Sequence, residues 1–166
     1  MYRKIEDFKK DWADESEATL KVLKSLTDAS LSQRVTPDGR SLGFLAWHIV
    51  TSQGEMLGQT GLATQAPEEN AKEPSTAAEI VTAYERSSRS VADLVLKNWT
   101  DASLLEEVEM YGQKWTRGYV LASLIRHETH HRAQMTVLMR QAGLKVPGVY
   151  GPSREEWAQF GMPPQK

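Results

Sequence analysis

The chain contains no cysteine, and this absence removes several kinds of chemistry. There can be no disulfide, no thiolate ligand for a metal, and no thiol nucleophile on the protein itself. Any bound metal must therefore be held by nitrogen and oxygen atoms. Histidine is also scarce, because only four occur among 166 residues, and three of the four fall within five residues.

The chain also lacks an excess of charge of one sign and a long apolar run. With 20 basic and 22 acidic side chains, the net charge is −2, so there is no electrostatic basis for binding nucleic acid or an anionic membrane. No segment approaches the roughly 20 apolar residues of a transmembrane helix. Residues 1–7 carry charges where a signal peptide is apolar. We expect one soluble, cytoplasmic domain over residues 1–166 that binds neither nucleic acid nor membrane.

Four long segments have apolar residues spaced three and four apart, which is typical of amphipathic helices. They cover about 5–26, 41–61, 76–95 and 116–143. The third opens with Thr76-x-x-Glu79, a capping-box pattern. The stretch 62–75 is polar, contains proline and is long enough to cross over the end of a bundle, and residues 108–115 alternate around a glycine as in a small hairpin. The sequence therefore predicts an all-α fold with a long crossover between helices 2 and 3.

An internal repeat divides the chain into two halves. Residues 22–35 (VLKSLTDASLSQRV) and 95–108 (VLKNWTDASLLEEV) are identical at nine of fourteen positions, at an offset of 73. Chance similarity between helix ends is the alternative, but a shared Thr-Asp-Ala-Ser-Leu in equivalent places favours duplication. We expect the bundle to be built from two repeated helical hairpins.

The repeat also aligns His48 in the first half of the chain with a histidine in the second half. His127 and His131 are four residues apart, so a helix places both imidazoles on one face. If the offset is carried forward with six extra residues in the second connector, His48 falls on His127 and Ser52 falls on His131. Packing of the two halves would then bring His48 against His127. The expected result is a group of three imidazoles with one side open.

Three histidine ligands with an open position are typical of a catalytic rather than a structural metal site. We expect a divalent ion, zinc or nickel first, with iron, cobalt or manganese as alternatives. In a zinc site a bound water becomes a nucleophile near neutral pH. Alternatively, a substrate thiolate displaces the water and is held deprotonated.

Other polar side chains on the same helix faces are candidates for contacts with the ligands or a substrate. Glu55 and Gln134 each lie seven residues after a histidine, and Glu55 is a candidate general base or an ordinary ion-pair partner. Ser52 is a further candidate for a supporting or substrate contact. His130 is interpreted first as a packing residue or a backbone hydrogen-bond partner, with a supporting or substrate contact as the alternative. Arg132 is interpreted first as an ordinary surface arginine, with a tertiary ion pair or an anion contact as the alternative.

Several motifs resemble the DinB/YfiT-like proteins across essentially the whole chain. The run His127-Glu-Thr-His-His-Arg-Ala-Gln134 resembles the H-x-x-H-H-R-G-Q signature of that family, with Ala133 in place of the usual glycine. Leu45-Ala46-Trp47-His48-Ile49 resembles the family's first histidine motif. The segments 140–143 (RQAG) and 147–153 (PGVYGPS) resemble its ending.

This resemblance implies a four-helix bundle with a long crossover between helices 2 and 3. It also implies a divalent metal on three histidines, which correspond here to His48, His127 and His131, and a homodimer. Better-understood relatives are metal-dependent thiol enzymes: bacillithiol or mycothiol S-transferases and a thiol-dependent maleylpyruvate isomerase. The family name records induction by DNA damage and does not establish an action on DNA.

Three functional hypotheses follow. The first is a metal-dependent thiol S-transferase that activates a low-molecular-weight thiol for attack on a small electrophilic substrate. The second is a metal-dependent hydrolase that uses metal-bound water and needs a base such as Glu55. The third is a non-enzymatic metal-binding dimerisation module, which predicts a fourth protein ligand or no metal.

Overall fold

The computed structural model describes residues 1–164, and four long helices form most of it. The elements in chain order are α1 (Ile5–Lys24), a 3₁₀ turn (Asp28–Ser30), α2 (Leu42–Gly58), α3 (Ala77–Asn98), a second 3₁₀ turn (Ser103–Leu105), strands β1 (Glu107–Met110) and β2 (Gln113–Thr116), α4 (Arg117–Gln141) and a third 3₁₀ turn (Trp157–Phe160). The long connection between α2 and α3 is present as expected, so the helical bundle prediction is confirmed. Among residues 1–164, no helix is long and apolar enough to cross a bilayer.

Hydroxyl side chains begin three of the four helices. Ser41, Thr76 and Thr116 each accept a hydrogen bond from the backbone amide three residues ahead, which satisfies a donor that the helix leaves unpaired. The predicted capping pattern at Thr76 is therefore real. Its details differ from the usual reciprocal arrangement, because the Thr76 hydroxyl donates to the Glu79 carboxylate at 2.7 Å.

The predicted small hairpin is also present. Strands β1 and β2 pair antiparallel with Met110 opposite Gln113, so only Tyr111 and Gly112 form the loop. Both have positive φ, 52° and 76°, as in a type I′ turn, whose twist matches that of the strands. Met110 is fully buried and anchors the hairpin in the core.

Helix packing refines the expected arrangement of the repeat. Helix α1 packs on α3 and α4, and α2 packs on the same two helices. Consequently α1 and α2 occupy opposite corners of the bundle, as do α3 and α4. The two halves of the repeat interlock rather than forming two separate hairpins. Each repeated unit therefore completes its core only by packing against the other unit.

The apolar core is divided into two clusters, one toward each end of the bundle. Between them, at mid-height of all four helices, lies a set of polar side chains, all buried except the half-buried Glu15, that we call the polar layer. Its members are Glu15, Thr19, Gln53, Tyr84, Ser87, Glu128 and Arg132. The histidines of α2 and α4 lie at the same height along their helices.

Candidate metal centre

The packing of α2 against α4 brings three histidines together. The Nε2 atoms of His48 and His127 are 3.2 Å apart, and those of His131 and His127 are also 3.2 Å apart. One ligand atom from each ring lies within 4.8 Å of the others. The expectation that the repeat would set His48 against His127 is confirmed, and Ser52 lies on the next turn of α2 as expected.

The spacing of these nitrogens suits a single small cation. Two imidazole nitrogens that bind one tetrahedral zinc at about 2.0–2.1 Å lie about 3.3 Å apart, close to the two short distances found here. Among the described residues, no carboxylate or fourth histidine joins the group. The donor set therefore fits a divalent metal held by three neutral nitrogens, with its remaining coordination positions not filled by protein carboxylate or imidazole.

Hydrogen bonds fix which nitrogen of two rings carries the proton. His131 Nδ1 lies 2.8 Å from Gln134 Oε1, a carbonyl oxygen that can only accept. His48 Nδ1 lies 3.4 Å from the Ser52 hydroxyl, which donates its own hydrogen to the His48 carbonyl at 2.6 Å and so accepts from the ring. In both rings Nδ1 is therefore the donor, and the Nε2 lone pair points toward the other histidines.

His127 lacks such a partner. Its Nδ1 is buried and makes no hydrogen bond with any described residue. His127 is also the central ring of the group, since its Nε2 is the atom that both other rings approach. Its orientation is consequently set by packing between α2 and α4 rather than by a polar contact.

The electrostatic environment keeps the three rings neutral. Burial is the main cause that lowers the pKa of His48 to about 4, followed by the repulsion that a protonated His131 ring would exert and by the charge of Arg40. Burial also lowers the pKa of His127 to about 4, and repulsion from the other histidines, when they are protonated, and from Arg40 adds to this effect. The pKa of His131 is lowered, again mainly by burial, although the Gln134 bond opposes the shift. Near neutral pH the rings are therefore uncharged and able to donate lone pairs.

The other predicted site residues occupy different positions. Gln134 bridges two rings, because its amide nitrogen lies 3.1 Å from His130 Nε2, so His130 supports Gln134 and is not part of the three-histidine group. Glu55 accepts a hydrogen bond from Tyr111 at 2.7 Å and another from Gln59. The described contacts of Glu55 thus tie it to the hairpin, and it is not in the histidine group.

Arg132 points into the bundle rather than to the surface. Its guanidinium forms an ion pair with Glu15 at 2.6 Å, with the arginine side chain 3% exposed. It also donates to the Thr19 hydroxyl at 2.9 Å and to Tyr150 in the C-terminal segment. The surface interpretation preferred from the sequence is therefore wrong, and the alternative, a tertiary ion pair, is correct.

Sequence reasoning missed the most buried acid of the molecule. Glu128 is fully buried beside His127, and it accepts hydrogen bonds from Tyr84 at 2.5 Å and from Gln53 at 3.2 Å. Burial raises the pKa of its carboxyl in spite of these donors. The signal was available, because Glu128 follows the buried Leu124 by four residues and so continues the core stripe of α4.

The bonds of Glu128 link three helices directly under the histidine group. Tyr84 belongs to α3, Gln53 to α2 and Glu128 to α4, and Ser87 of α3 donates to Gln53 Oε1 at 2.6 Å. This chain of contacts fixes the register of α2 against α4. The same register sets the distance from His48 to His127.

Comparisons with known proteins agree with this architecture. The profile of the DinB family matches residues 1–166. The Bacillus subtilis (strain 168) protein YrdA is 45% identical over 162 residues, covering 98% of this chain and 97% of YrdA. A crystal structure of a DinB-like protein from Bacillus cereus ATCC 10987 is 42% identical, with a TM-score of 0.87 over 90% of this chain and 100% of that one. A second DinB-like structure, YjoA from Bacillus subtilis, shares 18% identity and the fold, with a TM-score of 0.67 over 86% of this chain and 97% of that one. With three histidines gathered at the contact between α2 and α4, and with its whole length matched, the chain belongs to the DinB family.

Proposed function

We propose that the protein binds a divalent metal through His48, His127 and His131 and is a metal-dependent thiol S-transferase. The observation that carries the proposal is the convergence of three neutral Nε2 atoms without a fourth histidine or carboxylate ligand among the described residues. Zinc and nickel remain the first choices, because imidazole suits both. The metal, when bound, supplies a Lewis acid that lowers the pKa of a coordinated thiol.

The residues of the chain have defined tasks in this proposal. The three imidazoles present lone pairs, while Ser52 and Gln134 hold the His48 and His131 rings in the tautomer that binds. In the transfer, the thiolate sulfur forms a bond to the electrophilic carbon, and the leaving group departs with its electron pair. The thiol proton passes to solvent. No side chain has to act as an acid or a base.

A hydrolase is less well supported. Hydrolysis by activated water is assisted by a general base, and the sequence offered Glu55 for this role. The Glu55 carboxylate already accepts hydrogen bonds from Tyr111 and Gln59, and the Glu128 carboxylate is enclosed by Tyr84 and Gln53.

The non-enzymatic alternative predicts a fourth protein ligand, and none joins the histidines among the described residues. A homodimer remains a further prediction, which sedimentation velocity at several concentrations would test.

The experiment is a conjugation assay with purified protein loaded separately with zinc and nickel. It uses a panel of low-molecular-weight thiols and a chlorinated nitroaromatic acceptor, and it follows release of chloride and formation of the thioether. His131→Ala should abolish metal binding and conjugation together. His130→Ala is the comparison, because it removes an exposed neighbouring imidazole that contacts Gln134 but leaves the three-histidine group complete, so it should weaken metal binding much less than His131→Ala. Absence of conjugation with every thiol in metal-loaded wild-type protein would rule out the transferase. Ester or amide cleavage without thiol would favour the hydrolase.

A further inference from the structure

An exposed cation, Arg40, lies beside the histidine group and has no acidic partner among residues 1–164. The Arg40 guanidinium carbon lies 5.1 Å from the centre of the Phe44 ring. The Phe44 ring stacks on the His48 imidazole with centroids 5.9 Å apart and an interplanar angle of 15°. Arg40, Phe44 and His48 therefore form a continuous stack, which we call the arginine stack. It leads from the surface to a candidate metal ligand.

The stack holds its cation in place without neutralising it. Among residues 1–164, Arg40 forms no ion pair and no side-chain hydrogen bond, whereas the buried Arg132 is paired with Glu15. An arginine packed on an aromatic face keeps its donors in a fixed plane and available to a carboxylate.

Phe44 adds an apolar surface to this cation. The side chain is 40% exposed although its neighbours Gly43 and Leu45 are buried. An exposed ring that stacks on the imidazole of a candidate metal ligand is placed to contact the apolar part of a molecule bound there. The arginine stack thus offers an apolar face and a charge-assisted hydrogen-bond donor side by side.

We propose that Arg40 and Phe44 form a recognition site for a carboxylate-bearing small molecule that binds at the three-histidine group. The carboxylate pairs with the guanidinium, and the apolar part of the molecule lies against Phe44. Arg40 is then a specificity-determining residue that selects anionic over neutral ligands. The carboxylate belongs either to the thiol or to its electrophilic partner. The proposal rests on the proposed function only for the identity of these two ligands.

Two titrations test the site, and neither measures turnover. The first uses cobalt-substituted protein and follows the sulfur-to-cobalt charge-transfer band with 3-mercaptopropionate and with its neutral amide. Wild-type protein should bind the acid about tenfold more tightly than the amide, the size expected for one charge-assisted hydrogen bond. Arg40→Gln should remove this preference, and Arg40→Lys should restore part of it. Arg89→Gln is the control, because it removes an equal exposed charge from α3.

The second titration omits the thiol. Benzoate and benzamide are added to ¹⁵N-labelled protein, and the Arg40 side-chain resonance is followed by NMR. A shift with benzoate alone, weakened in Phe44→Ala, supports the site and assigns the carboxylate to the electrophilic partner. A preference seen only with the thiol pair assigns it to the thiol.

The outcomes separate the two proposals. If no thiol gives a charge-transfer band but benzoate still shifts Arg40, the transferase proposal fails and the carboxylate site stands. If both thiols bind with equal affinity and benzoate and benzamide act alike on Arg40, the carboxylate site is overturned. Equal weakening of acid and amide by Arg40→Gln also overturns it, because this result indicates a structural role.

Discussion

The two halves of the repeat are alike in their connectors and different in the helices that follow. In the first connector, the Ser30 amide donates to Thr27 Oγ1 at 3.3 Å, and the Thr27 amide donates to Ser30 Oγ at 3.1 Å. Thr100 and Ser103 exchange the same two bonds in the second connector, at 3.3 and 2.7 Å. The shared sequence thus encodes a shared turn.

Each connector also caps the first residue of a helix that belongs to the other half of the repeat. Asp28 Oδ1 accepts from the amide of Ala77, the first residue of α3, at 2.8 Å. Asp101 Oδ1 accepts from the amide of Ile5, the first residue of α1, at 2.9 Å. Each half therefore caps a helix of the other half. This reciprocity explains why the two units interlock and why the repeated motif is retained in both.

Helices α2 and α4, which follow the two connectors, differ in sequence at the centre of the bundle. Where α2 carries Ile49, Ser52 and Gln53, α4 carries Glu128, His131 and Arg132 at the corresponding positions. Among these four pairs of positions, only His48 and His127 carry the same residue. The two halves have therefore kept the same residues in the connectors at the ends of the bundle, where the helices are capped. The asymmetry in the middle supplies a third imidazole and a buried ion pair.

The largest effect is expected from removing the buried acid of the second half. Glu128→Ala should destabilise the protein by about 3–5 kcal/mol, because Tyr84 and Gln53 lose their acceptor and Arg132 loses a nearby negative charge. Urea unfolding followed by circular dichroism measures the change. Glu85→Gln, on the exposed side of α3, is the control and should be nearly neutral. An equal loss in both variants would contradict a structural role for the polar layer.

Making the two halves more alike should remove the candidate metal site. His131→Ser gives α4 the residue that α2 has at this position, and it leaves two imidazoles. Affinity for zinc should fall by more than about 100-fold, the upper range for losing a residue that only supports a ligand. Competition with a chromophoric chelator measures it. Undiminished zinc affinity would show that His131 is not a ligand, and His130→Ala provides the comparison.

A smaller effect is expected at the residue that orients the extra imidazole. Gln134→Ala removes the acceptor of His131 Nδ1, so zinc affinity should fall by about 10–100-fold while the fold remains intact. Gln134→Glu keeps an acceptor in the same place and should retain more affinity than alanine. The same chelator competition, with unfolding curves for both variants, separates an orienting role from loss of stability.

The smallest effect tests the symmetry of the connectors. Asp28→Ala and Asp101→Ala should each cost about 1 kcal/mol, since each removes one acceptor from a helix N-terminus. Because the two sites cap different helices, the double variant should show the sum of the two losses. Urea unfolding measures all three. A loss confined to one variant would mean that the connectors, although alike in sequence, are not equivalent in the fold.

Most of the secondary structure could be predicted from the sequence, because it depends on residues that are close together in the chain. The helices follow from apolar spacing, Thr76 marks a helix start, and the glycine of the hairpin turn permits positive φ. The polar layer could not be predicted, because it depends on contacts between residues that are distant in the chain. Glu128 and Arg132 are charged residues, and sequence patterns place such residues outside unless partners are known. Their partners Gln53 and Glu15 are far away in the chain.

The sequence by itself excluded sulfur ligands from cysteine and limited the imidazole ligands of a metal to four histidines. It also determined that His127 and His131 share one helix face, since that depends only on the helical period. The tertiary structure decided that α1 and α2 lie at opposite corners and that Arg132 turns inward to Glu15. It alone placed Glu55 at the hairpin, Gln134 against two rings, and Arg40 beside the histidines. Side-chain direction and pairing depend on neighbours supplied by other helices, and a single sequence does not specify those neighbours until the helices pack.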